Sequence, residues 1–107
     1  MSLRGSKGAK PPLKSPLGRH AANVIRVILD VDTGIDDALA IALALRHPDA
    51  QLEAVITVAG NVGLELTTRN TLRVLDWLGA TSVPVYAGAD RPLSGVVREA
   101  SRWYGSL

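Results

Sequence analysis

Apolar and polar positions between residues 24 and 93 form blocks that predict the order strand, helix, strand, helix, strand. Val24–Leu29 is aliphatic and rich in β-branched residues, as is typical of a buried parallel strand. The apolar stretch Ala38–Leu45 follows two acids and stops before Pro48. It predicts a helix that is apolar almost all round and is therefore expected to be buried.

The strand and helix pattern then repeats. Leu52–Val58 predicts a second strand, and a loop of mostly small residues follows at 59–63. A second helix is expected from about Leu64 to Leu78, with Gly79 just beyond its end. Its inner stripe is predicted to consist of Leu64, Thr68, Thr71, Leu72, Leu75 and Leu78. Val83–Ala87 predicts a short third strand.

This order predicts an α/β fold with a mostly parallel, Rossmann-like sheet and flanking helices. In such sheets, ligands bind at the carboxyl ends of the strands. Asp30 and Asp32 follow the first predicted strand and Asn61 follows the second, so their side chains are expected at one edge of the sheet. Three strands make a thin sheet. We therefore expect an incomplete fold, in which residues 23–107 begin a larger domain.

Positive charge is concentrated at the N-terminus. Residues 1–26 contain six Lys and Arg and no acid, whereas the rest of the chain contains six basic and ten acidic side chains. Residues 1–22 are rich in Gly, Pro, Ser and Lys and lack hydrophobic periodicity, which predicts a basic disordered tail. No aromatic residue lies among these charges, so we expect no nucleic-acid partner.

The composition narrows the class of protein further. A hydrophobic content of 47% suits a globular core. The longest apolar run, Ala38–Leu45, is too short to cross a bilayer, so we expect no membrane segment. The chain has no cysteine, which excludes disulfides and thiolate metal sites and fits a cytoplasmic location.

Four aspartates fall within eight positions, where the first strand ends and the first helix begins: Asp30, Asp32, Asp36 and Asp37. Carboxylates this close repel one another and stay ionised in a compact fold only beside a cation or several donors. Capping explains one of them at most, since a helix needs a single N-cap. Oxygen ligands without cysteine favour Mg²⁺ or Ca²⁺, so the cluster predicts a metal site.

The spacing of these acids allows two tasks to be divided between them. A divalent ion held by Asp32 and Asp37 could lower the pKa of a water molecule, and a free carboxylate oxygen beside it could accept the proton. Neighbouring residues at a helix start diverge by about 100°. Asp36 could therefore face a bound diol while Asp37 faces the metal. Asn61, with both donors and an acceptor, suits a sugar hydroxyl.

Two other interpretations stay open on these residues alone. An Asp-x-Asp pair after a strand is also typical of a Mg²⁺-dependent phosphatase, with Asp30 as the nucleophile and Asp32 as the acid/base. The third hypothesis is a non-catalytic remnant that binds a metal or a partner through its sheet edge. An EF-hand loop starting at Asp30 is excluded, because it would need an acid at Ile41.

The segment Leu29–Ala38 resembles the N-terminal signature of the inosine–uridine-preferring nucleoside hydrolases. That family usually has Pro where this chain has Thr33. The similarity continues through Val58–Asn61, Thr68–Asn70, Val83–Val85 and Gly88–Leu93. It covers roughly residues 24–93, and it implies that residues 23–107 are the N-terminal part of a nucleoside hydrolase-like domain.

The resemblance implies hydrolysis of the N-glycosidic bond of a ribonucleoside, giving ribose and base, with a bound Ca²⁺ as cofactor. Carried over by position, Asp32 and Asp37 would be metal ligands, and Asp32 would also be the general base. Asp36 and Asn61 would bind the ribose hydroxyls. Asp30 would be a supporting residue that orients the others.

Family members are much longer, and their remaining metal ligands and substrate contacts lie in a part that this chain lacks. The resemblance therefore implies a truncated member that we expect to be weakly active or inactive by itself. It also implies a ribonucleoside as the substrate partner and a homo-oligomeric assembly.

Overall fold

The structure, a computed structural model, describes residues 23–96, 98 and 100. Its five elements follow the predicted order: β1 (Ile25–Val31), α1 (Ile35–Arg46), β2 (Ala50–Thr57), α2 (Leu64–Trp77) and β3 (Val85–Ala87). The α/β prediction is confirmed. The first strand runs two residues further than predicted, so Asp30 lies inside β1. The basic tail predicted at residues 1–22 lies outside the described residues.

The three strands form one parallel sheet in the order β1-β2-β3. Pairing between β1 and β2 has one irregularity, between Val27 and Ile28. At the carboxyl edge, Val31 pairs with Thr57 and Thr57 pairs with Ala87. All three strands therefore end in one row, and the loops that follow them leave the sheet side by side.

The core lies between the sheet and the two helices, which contact each other and β2. Val55 and Thr57 are two positions apart in β2, so their side chains point to the same face of the sheet, and both are fully buried. They lie on the face covered by α2, since the hydroxyls of Thr57 and Thr68 are 2.7 Å apart. Ile41 of α1 and Leu75 of α2 are the largest buried side chains. Each contributes about 2 kcal/mol through removal of apolar surface from water.

The helix ends follow from local sequence. At the end of α2, Gly79 has a φ of +69° and its N–H donates to the Asp76 carbonyl at 3.0 Å. The Ala80 N–H donates to the Leu75 carbonyl at 2.8 Å, which completes a Schellman motif and confirms Gly79 as the stop. α1 ends differently. His47 has an extended backbone, because the ring of Pro48 disfavours a helical conformation at the residue before it.

The expectation that α1 is buried all round is wrong. Ile41 and Ala44 are buried, but Leu39 and Leu43 are 68% and 65% exposed among the described residues. An apolar composition shows that a helix can be covered on every side, but it does not show which sides have a neighbour.

The predicted inner stripe of α2 is partly wrong as well. Thr71 and Leu75 are buried, whereas Leu72 is 52% exposed. Thr67 and Asn70 are buried in addition. The buried face of α2 is therefore more polar than the hydrophobic pattern indicated. No helix in the described part of the chain has the length and apolarity needed to span a bilayer.

Candidate functional site

The loops after β1 and β2 meet through Asp32 and Asn61. The Asn61 backbone N–H donates to Asp32 Oδ2 at 2.8 Å, and the Asn61 side-chain Nδ2 donates to the Asp32 backbone carbonyl at 3.0 Å. Both residues are half-buried. Because the two strands are parallel neighbours, their exits place these groups together. The structure therefore brings Asp32 and Asn61 into direct contact.

Two glycines make this contact possible. A Cβ atom on Gly60 would lie 2.8 Å from both Cβ and Cγ of Asp32. A Cβ atom on Gly34 would lie 2.8 Å from Asn61 Nδ2. A side chain at either position would push apart the two polar residues that meet there. The aspartates beside Gly34, and Asn61 beside Gly60, are the sequence signal for this close approach.

Asp36 and Asp37 stand in the first turn of α1, where the positive end of the helix dipole favours acids. Asp36 is exposed and Asp37 is half-buried. Gly34 occupies the N-cap position without a side-chain hydrogen bond. Within residues 23–96, neither acid is used as the side-chain cap of this helix. Capping alone therefore does not account for the aspartates.

The pKa of Asp37 is raised to about 6. Burial is the largest cause, followed by a hydrogen bond that the protonated Asp37 carboxyl donates to the Asp32 side chain, the charge of Asp32 and the charge of Asp36. A backbone hydrogen bond from Asp32 acts in the opposite direction. The Asp37 carboxyl is thus partly removed from water beside the charge of Asp32, and a nearby cation would favour its ionised form.

The donor set fits a hard divalent cation. All the side-chain donors gathered here are oxygens, and the chain contains no cysteine. One Asp32 oxygen is held by Asn61, while Asp37 is held close to Asp32. In the described part of the chain, no group of three or more His, Cys, Asp or Glu is placed to hold a metal ion. Asp32 and Asp37 would therefore supply only part of a calcium shell, which takes about six to eight oxygens.

Asp30 is placed apart from this arrangement. It lies within β1, is exposed, and its side chain makes no hydrogen bond to another described residue. Its predicted role as a supporting residue stays a prediction.

The turn between β1 and α1 is held by contacts that the sequence analysis missed. The Thr33 hydroxyl lies 2.6 Å from the Thr71 hydroxyl, and Asn70 Nδ2 donates to the Thr33 carbonyl at 3.2 Å. All three residues are buried. The available signal was the run of polar residues Thr67, Thr68, Asn70 and Thr71 on and beside the predicted inner stripe of α2.

Comparison with known proteins agrees with this geometry. A sequence profile described as inosine-uridine preferring nucleoside hydrolase matches residues 27–106. The chain is 49% identical over 80 residues to an inosine-uridine preferring nucleoside hydrolase of Leishmania major. The matched residues make up 75% of this chain and 26% of that protein. It is also 49% identical over 79 residues to a non-specific ribonucleoside hydrolase of Klebsiella pneumoniae, covering 74% of this chain and 26% of that protein.

Solved structures show the same relation. A plant nucleoside hydrolase matches with a TM-score of 0.64 and 40% identity, covering 69% of this chain and 23% of that one. The chain thus spans about a quarter of the length of the curated relatives it matches. The profile covers most of this chain. The chain therefore belongs to the inosine-uridine preferring nucleoside hydrolase family.

Proposed function

We propose that this chain carries the metal-binding and ribose-binding part of a ribonucleoside N-glycosidase, which converts a nucleoside and water into ribose and base. The observation that carries the proposal is the contact of Asp32 with Asn61 beside the half-buried Asp37. The two relatives described above bear names that specify nucleoside or ribonucleoside hydrolysis.

Asp32 and Asp37 would hold a Ca²⁺ ion, and Asp32 would also be the general base. A bound divalent cation lowers the pKa of a water molecule and so favours its deprotonation near neutral pH. Because Asn61 holds Oδ2 of Asp32, the carboxylate keeps a defined direction, and its other oxygen would accept the proton. The remaining oxygens that a calcium ion requires would come from groups other than the described residues.

Asp36 and Asn61 would bind the ribose hydroxyls. Asp36 is exposed in the first turn of α1 and can accept hydrogen bonds from a diol. One Nδ2–H of Asn61 donates to the Asp32 carbonyl, which leaves the amide oxygen and the second N–H for a ribose hydroxyl. Cleavage of a glycosidic bond passes through an oxocarbenium-like transition state. The negative charge of the cluster would stabilise the positive charge that develops on the ribose ring.

A chimera tests this proposal directly. The matching segment of the Leishmania major relative would be replaced by that of this chain, and ribose release from inosine and uridine would be measured with calcium and with a chelator. We expect calcium-dependent ribose release from the chimera. A folded chimera that releases no ribose from any nucleoside would overturn the proposal.

Two further arms address the competing hypotheses. The chain alone is expected to show little or no ribose release, because two carboxylates form an incomplete calcium shell. Release of phosphate from p-nitrophenyl phosphate with Mg²⁺ would favour the phosphatase with Asp30 as nucleophile instead. The homo-oligomeric assembly and the cytoplasmic location stay predictions, and sedimentation of the chain tests the first.

A further inference from the structure

Residues 30–37, which carry the four aspartates, are called the aspartate turn below. Thr33 lies inside the aspartate turn but contributes no carboxylate to it. It follows Asp32 directly and precedes the first turn of α1. Its side chain is 2% exposed and meets Thr71, which is fully buried on α2. The two hydroxyl oxygens are 2.6 Å apart. A helix that carries none of the four aspartates therefore contacts the turn between them.

The direction of this hydrogen bond can be assigned by counting protons. The Thr71 hydroxyl donates to the Thr67 carbonyl at 2.9 Å, which uses its single hydrogen. The Thr33 hydroxyl must then donate to the Thr71 oxygen. Thr33 is thus a buried donor whose one side-chain acceptor among the described residues is Thr71, and the loss of that acceptor would leave it unsatisfied there.

The backbone of Thr33 is held by the same helix. Asn70 Nδ2 donates to the Thr33 carbonyl, so adjacent residues of α2 grip both the side chain and the main chain of one turn residue. On its other side, Asp32 is held by Asn61. Asp32 is therefore fixed between contacts from the β2 loop and contacts that reach its neighbour from α2.

We propose that Thr71 is a positioning residue for the aspartate turn, acting through a hydroxyl clasp with Thr33 that holds Asp32 and Asp37 in the arrangement a cation requires. The reference to a cation rests on the function proposed above.

Three variants of the full chain test the clasp. Thr71→Val keeps the shape of the side chain and removes the hydroxyl, whereas Thr71→Ser retains it. Thr67→Val is the matched control, because Thr67 is fully buried on the same helix but its hydroxyl donates only to the Leu64 carbonyl of its own helix. A merely structural role for buried hydroxyls predicts the same outcome for Thr67→Val as for Thr71→Val.

Two readouts separate positioning from general stability. The first is amide hydrogen exchange of Asn61, whose N–H donates to Asp32, and of Ala38, whose N–H donates to Gly34. The second is calcium affinity by calorimetry. We expect Thr71→Val to speed exchange at both amides and to weaken calcium binding, each by about five- to tenfold, the effect of one lost hydrogen bond. Thr71→Ser and Thr67→Val should match the parent chain in both.

The clasp is overturned if Thr71→Val leaves exchange at Asn61 and Ala38 unchanged, or if Thr67→Val changes them equally. Should Thr71→Val fail to fold, Thr33→Val removes the same hydrogen bond from the other side and takes its place in both measurements. An unmodified chain that binds calcium too weakly for calorimetry is what an incomplete calcium shell predicts. The exchange measurement then decides the clasp, and the chimera described above decides the proposed function.

Discussion

α1 exposes Leu39 and Leu43, whereas α2 buries Thr67, Asn70 and Thr71. Hydropathy alone would assign the opposite arrangement to these two helices. The polar groups of α2 can be buried because each has a hydrogen-bond partner, and no buried side-chain nitrogen or oxygen among the described residues lacks one. The buried face of α2 is therefore determined by its hydrogen bonds rather than by its hydropathy, and two of these bonds hold Thr33 in the turn that carries the aspartates.

The two helices also differ in the chemical groups that they bring to the site. α1 supplies charge at its first turn through Asp36 and Asp37, and α2 supplies neutral hydrogen bonds to the residue between β1 and α1. Changes to the charged groups should therefore alter chemistry more than stability. Changes to the neutral groups should alter stability and the geometry of the site together.

The largest expected effect comes from a charged group at the exit of β1. In the chimera, Asp32→Asn should lower the rate of ribose release by about 10²- to 10⁴-fold, because it removes both the proposed base and a metal ligand. Asp30→Asn makes the same chemical change two residues earlier, at an exposed side chain without a hydrogen bond to any described residue. Steady-state rates measure both. Equal losses in the two variants would remove the distinction between these aspartates.

The next effect concerns close approach rather than charge. Gly60→Ala should destabilise the fold by about 2 kcal/mol and abolish calcium binding, because the new Cβ would collide with the Asp32 side chain. Gly79→Ala is the control. Its φ of +69° makes alanine unfavourable by about 1 kcal/mol, but among the described residues no atom beyond its chain neighbours lies within 4 Å of the new Cβ. Urea denaturation and calorimetry should show lower stability in both variants and lost calcium binding only in Gly60→Ala.

The contrast between the helices can be tested with one residue from each. Thr71→Val should lower the free energy of unfolding by about 1–3 kcal/mol, because it leaves the buried Thr33 hydroxyl without an acceptor. Thr33→Val should cost less, since Thr71 keeps its bond to the Thr67 carbonyl. Leu43→Ala on the exposed face of α1 should change stability by about 0.5 kcal/mol at most. A larger loss from Leu43→Ala than from Thr71→Val, measured by urea denaturation, would reverse the contrast.

The sequence predicted those features of the fold that depend on local pattern and on strand order. The five elements, the stop at Gly79 and the meeting of Asp32 with Asn61 all follow from periodicity, helix capping and the rule for parallel strand ends. The clasp between Thr33 and Thr71 could not be predicted, because it joins residues 38 positions apart through the packing of α2 on the turn. The exposed Leu39 and Leu43 could not be predicted either, since a pattern does not show which helix faces are covered.

The smallest expected effect is a pH dependence of the charged end of α1. The folded pKa of Asp37 is about 6, above the value of about 4 in an unfolded chain, so the folded state binds more protons between these values. The contribution of Asp37 to stability is therefore largest below about pH 4 and is lost as the pH rises through 6. Because the group is only half-buried and solvent screens it, we expect about 1 kcal/mol lower stability of the calcium-free chain at pH 7 than at pH 5.

Calcium and a neutral side chain are the two controls for this slope. Saturating calcium should remove it, because the ion compensates the charge of the carboxylates, and Asp37→Asn should remove it because the titrating group is gone. Urea denaturation at pH 5 and pH 7 measures all three samples. If the slope persists in Asp37→Asn, the pH dependence arises elsewhere in the chain, and the burial of Asp37 beside Asp32 is not its cause.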